Sequence, residues 1–203
     1  MRAPAPGAQS ASALSEARLI SAALESVHGL VAEFSQIVES AALPSAQIEK
    51  GTVYLQRPGQ MRFEYAIPAG KLAIADGQRT WLYLPEDRQA LVAPADGRAA
   101  ESGVGILLQQ DIDIARQFTA AWEEDPAGGE RWLSLTPRVR RAEYERLLVR
   151  TTDDHLIREL AALDPLGGRV TYRFSRLRRV GRLDPDLFRF VVPRGVVVRE
   201  AAP

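Results

Sequence analysis

Histidines, paired carboxylates and glycine loops are where chemistry would start in this chain, and each has a quieter explanation. His28 falls at the end of an expected helix and His155 beside an expected hairpin turn. Neither has a serine, cysteine or carboxylate at a spacing that suggests a triad or a metal site. Asp111 and Asp113, Glu123 to Asp125, and Asp153-Asp154 lie in expected turns or helix starts, where solvation or capping accounts for them without acid–base work. Gly103-Val104-Gly105 lacks the third glycine of a dinucleotide loop and follows no clear strand. There is no Gly-Lys-Ser/Thr phosphate loop, and no cysteine for thiolate chemistry or a disulfide. The expectation is a protein with no catalytic residues, no metal and no cofactor. An enzyme such as a lipid hydrolase has no visible activated nucleophile.

Charge narrows the partners. The 26 basic residues balance 26 acidic ones, a formal net charge of +0, so electrostatics gives no reason to expect nucleic acid. The one basic run with interleaved aromatics, Arg169 to Arg182, alternates so that Val170, Tyr172 and Phe174 face away from Arg169, Thr171, Arg173 and Ser175. It is an amphipathic strand followed by a charged loop, which could also present positive charge to an acidic partner. No apolar run approaches the roughly 20 residues of a membrane-spanning helix.

One charged residue stands out by its place in a pattern. From Gly51 to Leu84 the chain reads as two β-hairpins. Val53 and Leu55 alternate with polar neighbours, as do Met61, Phe63 and Tyr65, the period of two that strands require. A loop over Pro58-Gly59-Gln60 would pair Arg57 with Met61, Leu55 with Phe63 and Val53 with Tyr65. Asp76-Gly77-Gln78-Arg79 would make the second loop, placing Ile74 opposite Trp81 and Leu72 opposite Tyr83. The large side chains of both hairpins are expected on one shared face, and Arg57 falls on it. Either acceptors from outside the sheet match that guanidinium, or it snorkels to water at the sheet edge.

The remaining elements follow from periodicity. Residues 1–11 are rich in Ala, Pro, Gly and Ser, lack the apolar core of a secretory leader and are expected to be a flexible tail; residues 12–203 form one domain. Ser15 to His28 has helical spacing, with Leu19, Ala23 and Val27 on one stripe and Gly29 as the stop. Leu30 to Glu39 reads as a strand with Leu30, Ala32, Phe34 and Val38 on one side. Gln89 to Ala93 reads as a short strand, and Gly103 to Arg116 as one or two short helices. From Gln117 onward strands dominate, with turns at Asp125 to Gly129, Asp153-Asp154 and Asp164 to Gly168. This is a mainly β chain with few helices, an antiparallel meander whose sheet needs a cover on one face.

The residues Gly51-x-Val53-Tyr54-Leu55-x-Arg57-Pro58-Gly59-x-Met61-Arg62-Phe63-Glu64-Tyr65, then Asp76-Gly77 and Trp81-Leu82-Tyr83, together resemble the LolA family of periplasmic carriers of outer-membrane lipoproteins. Phe34-Ser35-Gln36, Leu135-Thr136-Pro137, Phe188-Arg189-Phe190 and Pro193-Arg194-Gly195-Val196-Val197-Val198 continue the match, which runs from about Leu14 to Val198. The resemblance implies a curved antiparallel sheet forming an incomplete β-barrel, with a lid of short α-helices over a hydrophobic cavity. It makes Arg57 the latch of that lid, with Leu19, Ala23, Ile106, Leu107 and Leu108 in the lid. Val53, Leu55, Met61, Phe63, Tyr65, Leu72, Ile74, Trp81 and Tyr83 would line the acyl-chain pocket. It further implies acylated lipoproteins, an inner-membrane lipoprotein-releasing ABC transporter and an outer-membrane receptor as partners, and a monomer in the periplasm. A lipid- or lipoprotein-sensing module of the same fold, without transfer, is the alternative. Two features depart from the family. Glu101-Ser102-Gly103-Val104 stands where Thr-Pro often precedes the lid helix, and Met61 fills a position usually held by a bulky aromatic.

Overall fold

The computed structural model describes residues 10–40, 42–95, 104–105, 112–141 and 144–200. In chain order the elements are α1 (Ala11–Glu25), β1 (Gly29–Glu39), β2 (Gln47–Gln56), β3 (Gln60–Ile67), β4 (Leu72–Asp76), β5 (Arg79–Leu84) and β6 (Gln89–Pro94). Then come α2 (Ile114–Gln117), β7 (Phe118–Glu123), β8 (Trp132–Pro137), β9 (Arg146–Thr151), β10 (Ile157–Leu163), β11 (Arg169–Val180), a 3-10 turn (Pro185–Phe188) and β12 (Val197–Glu200). The strands hydrogen-bond in the order β12-β6-β5-β4-β3-β2-β1-β11-β10-β9-β8-β7. The first and last are not neighbours, so the sheet is unclosed. The mainly β class with a large unclosed sheet and, among the described residues, two α-helices is as expected. The ladders from β2 to β6 and from β7 to β11 are antiparallel, and β12 alone among the pairings described departs by lying parallel to β6.

By contacts the chain divides into two compact units: Met1–Ser26 with Ile37–Gln47 and Asp111–Arg173, and Val27–Gln36 with Ile48–Gln110 and Phe174–Pro203. In the first, the register places Phe118, Ala120, Leu133, Leu135, Leu147, Val149 and Leu160 on one face, all buried. Helix α1 meets this face through small residues. Its buried stripe is Ala13, Ala17, Ile20, Ser21 and Leu24, an i, i+4, i+7 pattern in which short side chains allow close approach. Ser10 starts the helix by accepting the Ala13 N–H at 3.1 Å, four residues before the expected start. Leu19 and Ala23, expected on the inward stripe, are displaced from it: Leu19 is 43% exposed and Ala23 half-buried. The stripe is set by the alanines with Ile20 and Leu24, one residue away from Leu19 and Ala23, so choosing the stripe by Leu19 rotates it outward.

Polar tethers fix α1 in that unit. Trp122 Nε1 donates to Ser12 Oγ at 3.2 Å, the Thr151 hydroxyl donates to Glu16 Oε1 at 3.0 Å, and Ser21 Oγ accepts the Ile114 N–H at 3.0 Å. Asp113 caps α2 by accepting the Arg116 N–H at 2.9 Å, the capping role expected of it. On the opposite sheet face Trp132, Leu148 and Ala161 form a small cluster with Leu163, roofed by Arg150, whose guanidinium lies 3.8 Å from the Trp132 ring centre. Arg150 also reaches Asp125 at 2.6 Å. The Ala127 backbone N–H and then that guanidinium hold the Asp125 carboxyl below the usual carboxylate range.

Candidate functional site

The second unit contains the hairpins. Between β2 and β3 the register pairs Gln56 with Gln60, Leu55 with Met61, Val53 with Phe63 and Gly51 with Tyr65. The loop is therefore Arg57-Pro58-Gly59, one residue earlier than expected, and each partner shifts by two. Because a shift of two preserves facing, Val53, Leu55, Met61, Phe63 and Tyr65 still share one side, and all five are buried. Arg57, however, is a turn residue at the Leu55–Met61 end of these rows rather than a strand residue among them. Its N–H donates to the His28 carbonyl at 2.9 Å, and it is half-buried. Gly59 takes the positive φ of 75° that closes the turn.

The second hairpin has the expected register, Ile74 opposite Trp81 and Leu72 opposite Tyr83. The Asp76 carboxylate shapes its loop by accepting the N–H groups of Gln78 and Arg79 at 2.8 and 2.7 Å. The shared face does not hold. Strand β3 pairs Phe63 with Ala73 and Met61 with Ala75, so the side bearing Phe63 continues through Ala73, Ala75, Thr80 and Leu82. Leu72, Ile74, Trp81 and Tyr83 lie on the other side, with Arg62 and Glu64. That side has its own cover. Phe190 stacks at 5.2 Å on Trp81 and 5.7 Å on Tyr83, Phe188 is buried, and Arg62 Nη1 donates to the Leu187 carbonyl at 3.0 Å. Trp81 and Tyr83 therefore pack against Phe190, and Leu72 and Ile74 share their side of the sheet rather than that of the first hairpin's face. Alternation within a hairpin fixes which residues share a side; the link between hairpins decides which sides merge.

On the inner side, β1 adds Leu30, Ala32 and Phe34, all buried. Phe34 meets Phe63 edge-on at 4.7 Å and Tyr65 at 5.0 Å. Gly51 is required for this approach, since a Cβ there would run into the Glu64 carbonyl and lie 2.9 Å from the Phe34 ring. Three strands thus join their apolar rows into one continuous surface, packed away from water.

Ile106, Leu107 and Leu108 lie outside the described residues. His28 is exposed, and its carbonyl serves the first hairpin. His155 Nδ1 lies 3.0 Å from Glu16 Oε1, a carboxylate that the chain supplies from far upstream, so no local spacing could have announced the pair. Among the described residues no three His, Cys, Asp or Glu side chains converge as metal ligands would.

The protein is of the class with an unclosed, mainly β sheet carrying one continuous aromatic and aliphatic face across β1, β2 and β3. Residues 25–191 match the model of the family described as Outer membrane lipoprotein carrier protein LolA, and the chain belongs to that family. It is similar to the outer-membrane lipoprotein carrier protein of Dechloromonas aromatica (strain RCB), 31% identical over 175 residues that cover 86% of this chain and 83% of the relative. That of Xanthomonas campestris pv. campestris (strain B100) is 32% identical over 171 residues, covering 84% and 81%. The fold is shared with an uncharacterized conserved protein from Thermus thermophilus, at a TM-score of 0.53 and 14% identity, covering 94% of this chain and 99% of that one.

Proposed function

We propose that this chain is a periplasmic carrier that holds the acyl chains of outer-membrane lipoproteins against the face built by Leu30, Phe34, Val53, Leu55, Met61, Phe63 and Tyr65. The observation that carries this reading is the continuity of that face across β1, β2 and β3 in a chain of the LolA family. Burial of one CH₂ gains about 0.8 kcal/mol, so a single long acyl chain resists water by about 10 kcal/mol. A lipidated protein therefore cannot cross an aqueous gap unshielded. The same figure makes spontaneous release into water very slow, so loading and unloading occur by direct contact. The donor is an inner-membrane lipoprotein-releasing ABC transporter and the acceptor an outer-membrane receptor or the membrane itself. The carrier performs no catalysis.

Acylated lipopeptide is expected to bind the purified protein in a fluorescence titration, and the deacylated peptide is not. Equal binding of the two would remove the acyl chain from the reading. Arg57, at the turn that ends the apolar rows, is assigned as the latch of the closed state. Arg57→Leu removes charge-assisted hydrogen bonds of roughly 1.5 to 3 kcal/mol each while adding apolar surface for the open state. Loading is expected to survive and hand-off to acceptor membranes to fail, since closure no longer helps drive release. Arg57→Lys should fall between, because it keeps the charge and loses the planar fork. A variant Arg57→Leu that unloads like wild type would show the residue to be a surface arginine.

A further inference from the structure

The apolar rows of the inner face do not stay apolar along their whole length. Toward the end away from Arg57, three strands turn polar together. Strand β1 passes from Phe34 to Gln36, β2 from Val53 through Gly51 to Glu49, and β3 from Phe63 to Tyr65. The β2–β3 register shifts between Lys50 and Gly51, and it is contact through Lys71 that sets Glu49 beside Tyr65. These polar groups touch. The Tyr65 hydroxyl donates to Gln36 Oε1 at 3.1 Å, and Lys71 Nζ lies 4.4 Å from the Tyr65 ring centre and 2.5 Å from Glu49 Oε1. The Lys71 and Glu49 side chains are only 16% and 14% exposed.

One atom of this group is left over. Glu49 Oε2 is closed off from solvent and accepts no hydrogen bond among the described residues. A buried acceptor without a donor is costly, and such atoms in folded proteins call for an explanation. Lys71 serves the other oxygen and is engaged with the Tyr65 ring, so an anionic head would have to compete with Glu49 for it. A head that carries an N–H displaces nothing: it donates to Oε2, and its carbonyl accepts from the ammonium, which has three donors.

We infer that Gln36, Glu49, Tyr65 and Lys71 form a polar subsite at the end of the acyl-chain face for the amide-linked head of an N-acylated ligand, with Glu49 Oε2 accepting its N–H. The inference rests on the proposed carrier function, because it needs the acyl chain to lie along the adjoining rows. It makes the site selective for amide-linked over ester-linked or free acyl chains of equal length. An ester has no N–H to give, and a free fatty acid brings a negative charge against Glu49.

The test is displacement of an apolar fluorescent probe by N-lauroylglycinamide, methyl laurate and laurate. The wild type is expected to favour N-lauroylglycinamide on the order of 10-fold over the other two, the worth of one good hydrogen bond to a charged group. Glu49→Gln keeps the size, removes the charge and replaces one oxygen with a donor, and should narrow the preference for N-lauroylglycinamide. Glu49→Leu with Lys71→Met, which removes the ion pair as a whole, should do the same. Equal affinities in the wild type overturn the subsite and leave the carrier reading standing, whereas no displacement by any of the three overturns both. Should the double variant not fold, the wild-type preference and Glu49→Gln decide the matter. If neither variant narrows the preference, the donor goes elsewhere and the assignment of Glu49 is wrong.

Discussion

Phe63→Asp is expected to abolish binding of acylated peptide and to destabilise the protein by several kcal/mol. The ring is 2% exposed, lies between Val53 and Ala73 on the neighbouring strands, and meets Phe34 edge-on at 4.7 Å. Removing a buried phenyl ring alone costs about 3–5 kcal/mol, and the new carboxylate adds a desolvation penalty because none of these neighbours is a donor. Phe63→Leu separates the two effects, since it keeps the face apolar and should retain most of the binding at a modest loss of stability. The pair of measurements is a denaturant titration and a fluorescence titration with acylated peptide. Wild-type affinity in a folded Phe63→Asp protein would move the ligand to another surface.

The other side of the same hairpins should respond in the opposite way. Phe188→Ala is expected to lower stability by about 3–5 kcal/mol and to leave acyl-ligand affinity unchanged in the protein that remains folded. Phe188 is 1% exposed within the segment that covers Ile74, Trp81 and Tyr83. If those residues lined the ligand site, loosening their cover would alter affinity. The register between β3 and β4 sets Ile74 on the other side of the sheet from Phe63, which faces the same way as Ala73. A Phe188→Ala protein of native stability and weakened ligand affinity would reverse this assignment.

Comparison of these two positions shows what was legible in the sequence. Local pattern was enough where one hairpin decided the outcome. Val53, Leu55, Met61, Phe63 and Tyr65 fall together because alternation survives even a loop misplaced by one residue, and Ile74 meets Trp81 because Asp76-Gly77 marks its turn. Merging of the two hairpins was not legible. Large residues occupy odd positions in β3 and even positions in β4, and only the ladder between them shows that both sides of the sheet are apolar. Leu19, read onto the inward stripe, misled for a related reason. A helix that approaches a sheet closely buries its alanines, and a leucine beside that stripe stays in water. Contacts such as Glu16 with His155 and Lys71 with Tyr65 depend on the folded arrangement and leave no trace in spacing.

An unclosed sheet also has two borders, and each is a place where a foreign chain could add a strand and begin a fibril. Strand β7 has one of its outer carbonyls occupied, since the Ser10 N–H at the start of α1 donates to Ala120 at 3.4 Å. Strand β12 carries no such cover among the described residues: Val197, Val198, Arg199 and Glu200 are all exposed. Its protection is brevity and charge. Four residues give an incoming strand few backbone partners, and Arg199-Glu200 places both signs of charge beside the two valines, so self-templating there meets mismatched side chains before it can extend.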